Sequence, residues 1–183
     1  FWCFWTRANP SHAQMTAAGE ITEIGAGMTG AIPASQRPRF TWRYDHKLDS
    51  QGRVPLPAKW RPEDPSSLSL MAVMIRHPSE AEFVMVLPVE QFERFSNPIC
   101  QGDFTDPLRL AERHDYVDRI IELELDSAGR ICLPKEMRGA AGLTDDVLFV
   151  GCIDRFELWN PEAYQTARLS ERLIKKVQNP QKT

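Results

Sequence analysis

The sequence predicts an α+β fold that is mainly β. It is a duplicated unit whose two copies pack as one pseudo-twofold small β-barrel with short helices, behind a disordered N-terminal leader. Three observations carry that expectation. A fourteen-residue stretch occurs twice, Leu48–Arg61 and Leu125–Arg138, without a gap and 77 residues apart, and eight of its fourteen positions are identical. Apolar runs are short and separated by tight-turn residues, as in antiparallel sheets. Each copy spans roughly fifty residues, too few to bury a core alone, so the two must share one.

Residues 1–39 stand apart. After Phe1-Trp2-Cys3-Phe4-Trp5 they are dominated by Ala, Gly, Ser, Thr and Pro. They lack both the helix and strand periods and the basic start with apolar run of a secretory signal. They read as a leader, either disordered or lying ahead of a start at Met15 or Met28. Tyr44–Leu48 reads as a strand and Asp49-Ser-Gln-Gly52 as a tight turn. There the Asp carboxylate accepts backbone N–H groups and Gly supplies a positive φ. Arg53–Leu56 is the returning strand, Pro57 opens a short helix, and 61–67 is a loop. Met71–Ile75 and Phe83–Leu87 make a hairpin, followed by a short helix over Pro88–Phe95. Asp106-Pro107 opens a helix with Leu110, His114 and Val117 on one face.

The second copy repeats the plan. Ile121-Glu-Leu-Glu-Leu125 alternates apolar and acidic residues, the pattern of a half-buried strand. Asp126-Ser-Ala-Gly129 is the turn, Arg130–Leu133 the returning strand and Lys135–Arg138 a helical turn after Pro134, ended by Gly139 or Gly142. Val147–Val150 and Phe156–Trp159 form the second hairpin. Asn160-Pro161-Glu162 starts a helix with a cap, a first-position proline and an acid in the first turn. That helix runs through Ala167 and Leu173 to Val177, and Arg168–Val177 is basic and amphipathic, suited to packing between subunits or to an exposed helix end rather than to a membrane.

Composition narrows the function. The chain has 183 residues, 42% of them hydrophobic, and a net charge of −3, which excludes wholesale disorder and a bulk polyanion binder but leaves room for a reader with local positive charge. No apolar run approaches the roughly 20 residues of a membrane span. Cys3, Cys100, Cys132 and Cys152 show no C-x-x-C spacing, so they read as reduced thiols without zinc. No metal, cofactor or small-molecule substrate is implied. His46, three residues before Asp49, has no nucleophile beside it, and His77 and His114 lack metal-ligand partners, so no catalytic constellation emerges.

The D-x-x-x-R turns at Asp49–Arg53 and Asp126–Arg130, the aliphatic-Pro that follows, and the hairpin ending in Glu157-Leu-Trp159 resemble the MraZ family, whose members are tandem SpoVT-AbrB-type domains. Arg138-Gly-Ala-Ala-Gly-Leu143 and Val150-Gly151 are similar to the family's second half. The resemblance covers about residues 40–165. It implies a SpoVT-AbrB-type domain 1 over 43–90, a linker helix and incoming strand over 91–124, domain 2 over 125–168, and a helix end and tail over 169–183. It also implies a non-enzymatic transcriptional regulator, a repressor, of the division and cell-wall gene cluster. Such a protein is cytoplasmic, nucleoid-associated, and a homo-oligomeric ring on short G-rich direct repeats of double-stranded promoter DNA.

A physical case stands beside the resemblance. Residues 37–61 hold Arg37, Arg39, Arg43, Lys47, Arg53, Lys59 and Arg61 against Asp45 and Asp49, a local charge of +5, with Trp42, Tyr44 and His46 interleaved. A two-stranded ribbon fits the major groove, and an arginine at a tight turn can offer two donors to guanine. The candidate DNA-binding residues are Arg53 and Arg130 as readers, Asp49 and Asp126 as turn-fixing partners, Gln51 at the tip, and Lys47, Lys59 and Arg43 on phosphates. Arg53 is expected to outweigh Arg130, which is flanked by Glu122, Glu124 and Glu136. Two other readings remain open. The Asp–Arg pairs also suit purely structural turns. The same fold could also serve as an oligomeric interaction scaffold without DNA contact.

Overall fold

The computed structural model describes residues 38–64, 67–101, 103 and 105–178, so the expected leader, with Arg37 and Cys3, falls outside the described residues up to residue 37. The fold is mixed α and β with antiparallel sheets. Strands β1 (Arg43–Lys47), β2 (Arg53–Pro55), β3 (Leu70–Arg76) and β4 (Glu82–Pro88) come from the first copy. Helices α1 (Val89–Cys100) and α2 (Pro107–Val117) link it to β5 (Ile120–Leu123), β6 (Arg130–Cys132), α3 (Lys135–Ala140), β7 (Asp146–Gly151), β8 (Phe156–Trp159) and α4 (Pro161–Gln178).

Six strands form one sheet in the order β1-β7-β8-β4-β3-β5. Exchanging the copies (β1 with β5, β3 with β7, β4 with β8) returns the same order, so a pseudo-twofold runs between β4 and β8. Each copy's first strand pairs with the other copy's hairpin: β1 lies on β7 and β5 on β3. Alternation explains which strands lie at the edge of the sheet and which at its centre. In β1, Arg43, Asp45 and Lys47 are exposed while Tyr44 and His46 are half-buried, the pattern of an edge strand covered on one face. In β4 the five residues Phe83–Leu87 are all buried, as a central strand requires.

The other two strands, β2 and β6, pair with each other as a separate ribbon, with Val54 opposite Ile131. Both are fully buried. The closed barrel expected from the sequence is not formed. Strands β1 and β5 are the two edges of the large sheet, and no ladder among the described residues joins them. The ribbon strands are three residues each and spend their ladder bonds on one another, meeting the incoming chain at the Leu125–Ile131 bridge and through the Asp49 and Asp126 N–H groups, which donate to the Arg53 and Arg130 carbonyls. Pro55, which lacks an N–H, is tolerated because each ribbon strand is itself an edge.

The ribbon, the 3₁₀ turn Ala58–Trp60 and α3 lie over one face of the sheet. There Val54, Leu56, Trp60, Ile131, Leu133 and Met137 pack on Ala72, Val84, Val86, Phe149, Phe156 and Leu158. Burying side chains of this size stabilises the fold by roughly 1.5–3 kcal/mol each. Trp60 is the keystone, with its ring within 6.0 Å of Phe40, Tyr44, Phe149 and Phe156 and its indole N–H donating to the Thr41 carbonyl at 3.2 Å. On the opposite face Val73, Phe83, Met85, Leu148 and Trp159 meet α1 and α4 through Phe92, Phe95, Tyr164 and Ala167.

Helix α1 is longer than the Pro88–Phe95 expected, continuing past Pro98. Pro98 lies in the last turn, where it removes one hydrogen bond, while Phe92 and Phe95 hold the helix on the sheet. The Asp106 side chain caps α2, accepting from the Leu108 N–H at 3.0 Å. The face of Leu110, His114 and Val117 is not buried, and α2 meets α1 through Tyr116 edge-on to Phe95 and through the Arg113 guanidinium, which donates to the Ile99 and Cys100 carbonyls at 3.3 and 3.1 Å.

A candidate nucleic-acid interface

The two repeated motifs build the same turn twice. Asp49 Oδ1 accepts the backbone N–H groups of Gln51 and Arg53, both at 2.9 Å, and its Oδ2 accepts Arg53 Nε at 2.8 Å. Asp126 repeats this with the N–H groups of Ala128 and Arg130 at 2.9 Å and Arg130 Nε at 2.7 Å. Gly52 and Gly129 close the turns at φ 76° and 69°, a region that L side chains pay to enter. Bonds from the Arg53 and Arg130 N–H groups hold the Asp49 and Asp126 carboxyls below the usual carboxylate range, and the guanidinium bonds add to the effect.

Each arginine is thereby held by one edge. Its Nε is spent on its own aspartate, and the terminal amines carry no hydrogen bond to any described residue. Both side chains are about one-third exposed, at 38% for Arg53 and 34% for Arg130. Val54 and Ile131 point into the core, so Arg53, Pro55, Arg130 and Cys132 lie on the ribbon's outer face. The antiparallel register sets Arg53 opposite Cys132 and Pro55 opposite Arg130, which puts the two turns at opposite ends of the ribbon.

Two further arginines complete the picture, and sequence reasoning left them out of the site. Arg138 Nε donates to the Leu133 carbonyl at 3.1 Å, and its guanidinium lies so near Gly52 that a Cβ there would come within 2.7 Å of it. Arg61 Nε donates to the Leu56 carbonyl, and its side chain lies against Gly129 in the same way. Each turn of one copy is therefore flanked by the last motif arginine of the other. The available signal was that Arg61 and Arg138 are themselves an identical position of the repeat.

The remaining candidates are divided. Gln51 is exposed at the first turn, and its carbonyl accepts the Cys132 thiol at 3.7 Å. Lys59 is exposed on the 3₁₀ turn beside the ribbon. Lys47 pairs with Asp146 at 3.0 Å, which raises its pKa first through that hydrogen bond. Arg43 faces the opposite side of the sheet from Tyr44, in a groove against α4. The described members of the +5 cluster, Arg39 to Arg61, are close in sequence but split between two faces in space. Tyr44 and His46 do not interleave with it on the surface. They turn inward against Trp60 and Phe149, and burial lowers the His46 pKa. Cys100, Cys132 and Cys152 are free thiols, and burial pushes Cys152 up to about 11. No cluster of metal-ligating side chains occurs among the described residues, and no helix among them is long and apolar enough to cross a membrane.

Fold and site define a class: a strand-exchanged, internally duplicated α+β protein that presents two matched arginine turns on one ribbon. Residues 121–179 match the family model described as "MraZ protein, putative antitoxin-like". The chain is 36% identical over 131 residues to the transcriptional regulator MraZ of Parvibaculum lavamentivorans, covering 68% of this chain and 78% of that protein. It is 30% identical over 128 residues to that of Syntrophobacter fumaroxidans (70% and 83% covered) and 31% identical over 133 residues to that of Phenylobacterium zucineum (73% and 82%). The chain belongs to the MraZ family of transcriptional regulators, which are not enzymes.

Proposed function

We propose that this chain is a sequence-specific DNA-binding repressor of the division and cell-wall gene cluster, working in the cytoplasm on the nucleoid. It occupies short G-rich direct repeats in promoter DNA as a homo-oligomeric ring of tandem SpoVT-AbrB-type units. The observation that carries this reading is the twice-built Asp–Arg turn, in which Nε is fixed and the terminal amines are left to solvent. A guanidinium so held loses little entropy on docking and can present two parallel donors to guanine O6 and N7. Arg53 and Arg130 are the readers, Asp49 and Asp126 hold them, and the exposed Gln51 amide adds a polar group at the tip. Lys59, Lys47 and Arg43 supply phosphate contacts or long-range field. Many such tips on one ring bind tandem sites through effective concentration rather than through any single strong contact.

A gel-shift titration on the DNA upstream of the gene tests this, with Arg53→Ala and Arg130→Ala beside the unsubstituted protein. Each substitution is expected to weaken binding roughly 5- to 150-fold, the worth of one bidentate base contact. Equal retention of all three proteins would remove the arginines from the interface. No retention of the unsubstituted protein at low salt would favour the scaffold reading.

A further inference from the structure

We propose that Arg138 and Arg61 grip the two phosphate ridges of the DNA major groove, one on each side of the bases read by Arg53 and Arg130, so that each reading head is shared between the two repeats. The inference rests on the DNA-binding function above, which names neither side chain.

The first observation is how these two arginines are held. Arg61 Nε donates to the Leu56 carbonyl at 2.6 Å, and Arg138 Nε to the Leu133 carbonyl at 3.1 Å. In both, the terminal amines carry no hydrogen bond or ion pair to any described residue. Arg53 and Arg130 are held in the same way, with Nε fixed and the amines open. Phosphate oxygens suit such donors, because the bonds are charge-assisted and a fixed stem limits the entropy lost on docking.

The second observation is the crossing between repeats. The Arg138 guanidinium lies over Gly52, the neighbour of Arg53, and a Cβ at Gly52 would fall 2.7 Å from Arg138 Cζ. The Arg61 stem lies over Gly129, the neighbour of Arg130, with Cδ 2.9 Å from where a Cβ would be. Both glycines are buried, so each guanidinium-bearing chain rests on backbone with no side chain between. Two arginines then stand at each turn against the one aspartate that fixes it.

The third observation is spacing. The ribbon's bonding continues past its strands, since the Leu56 N–H donates to the Gly129 carbonyl and the Leu133 N–H to the Gly52 carbonyl, both at 3.0 Å. With Arg53 opposite Cys132 and Pro55 opposite Arg130, Gly52 lies level with Leu133 and Gly129 with Leu56. Arg53 and Arg130 are therefore two residues apart along the ribbon, roughly 7 Å at ~3.4 Å per residue. Gly52 and Gly129 are four apart, roughly 14 Å on the same rise. The major groove is about 12 Å wide. A ribbon lying across it sets the inner pair of arginines over the base edges and the outer pair against the two walls. Contacts to the walls position the protein without specifying sequence.

Gel-shift titrations between about 50 and 200 mM salt test this, on the G-rich promoter duplex and on a scrambled one. The variants are Arg138→Gln, Arg61→Gln, Arg138→Lys and Arg61→Lys. Lysine and glutamine both lose the Nε bond to the leucine carbonyl, but only lysine keeps the charge. Each Gln variant is expected to flatten the slope of log affinity against log salt by about 0.9 per bound chain and to weaken both duplexes by the same factor. Each Lys variant is expected to restore the slope. Arg53→Ala, by contrast, narrows the ratio between the duplexes. Phenylglyoxal labelling of the unsubstituted protein, read by mass spectrometry, needs no variant to fold; either duplex is expected to shield Arg61 and Arg138. Any of four results would overturn the assignment: an unchanged salt slope, a Lys variant no better than its Gln counterpart, a duplex ratio narrowed as far as by Arg53→Ala, or labelling that DNA does not alter. Should the unsubstituted protein hold neither duplex, the DNA-binding function itself fails. Should it hold them and the Gln variants match it, only the phosphate grip fails.

Discussion

Asp49 and Asp126 each satisfy two backbone donors and one guanidinium edge, so one carboxylate organises a whole turn. Their folded pKa values lie below the ordinary value, chiefly because the following arginine's N–H bonds the ionised form. The stability they add is therefore present above the unfolded value near ~3.9 and is lost as pH falls through the lower folded value. Urea midpoints of the parent and of Asp49→Asn/Asp126→Asn should differ at pH 7 and converge as pH falls through the lowered folded values of the two carboxyls. A second expectation concerns Gly52 and Gly129. Alanine at either meets a positive φ that costs roughly 1–2 kcal/mol, whereas the neighbouring arginine tip can swing away from the new methyl. Urea unfolding should show each single variant destabilised by about that amount, and Arg138→Ala should not rescue Gly52→Ala.

The ribbon is the element where the copies depend on each other. Arg138 flanks the first turn and Arg61 the second, and the Leu56 and Leu133 N–H groups donate to the Gly129 and Gly52 carbonyls at 3.0 Å. Hydrogen exchange should register this crossing. Arg138→Ala is expected to speed exchange at Gly52 and Arg53 more than at Gly129 and Arg130, and Arg61→Ala to do the reverse. Uniform or same-copy effects would contradict the crossed arrangement. Beneath the ribbon, Val54 and Ile131 are fully buried against one another's strand. Ile131→Ala should cost roughly 2–5 kcal/mol by leaving a cavity, measured as a fall in urea midpoint with an unchanged slope.

At the scale of the whole molecule, strand exchange makes the two copies one folding unit. Strand β1 has its ladder on β7, and β5 has its ladder on β3, so neither copy contains its own complete sheet. Thermal unfolding should follow one transition, with tryptophan fluorescence and far-ultraviolet dichroism coinciding. A fragment ending at residue 101 is expected to remain unfolded by dichroism, because it lacks β7 and β8, the strands that β1 and β4 pair with. A cooperative transition in that fragment would show that the first copy folds alone.

By itself the sequence determined the duplication, the turn chemistry and most strands. These are local: Asp and Gly at fixed offsets specify a turn, and alternation specifies a half-buried strand, whatever lies across the sheet. Phe156–Trp159 and the Asn160-Pro161 helix start were legible for that reason. Tertiary structure alone decided which copy each strand joined, that the sheet stayed open, that Arg43 and Arg53 parted to different faces, and that Arg138 came to rest over Gly52. Those facts join residues far apart along the chain, and a pair of repeats has equal local preferences whether its strands pair within a copy or between copies. Only the packing of Val54 and Ile131 beneath a shared ribbon, over one common core, separates the two arrangements.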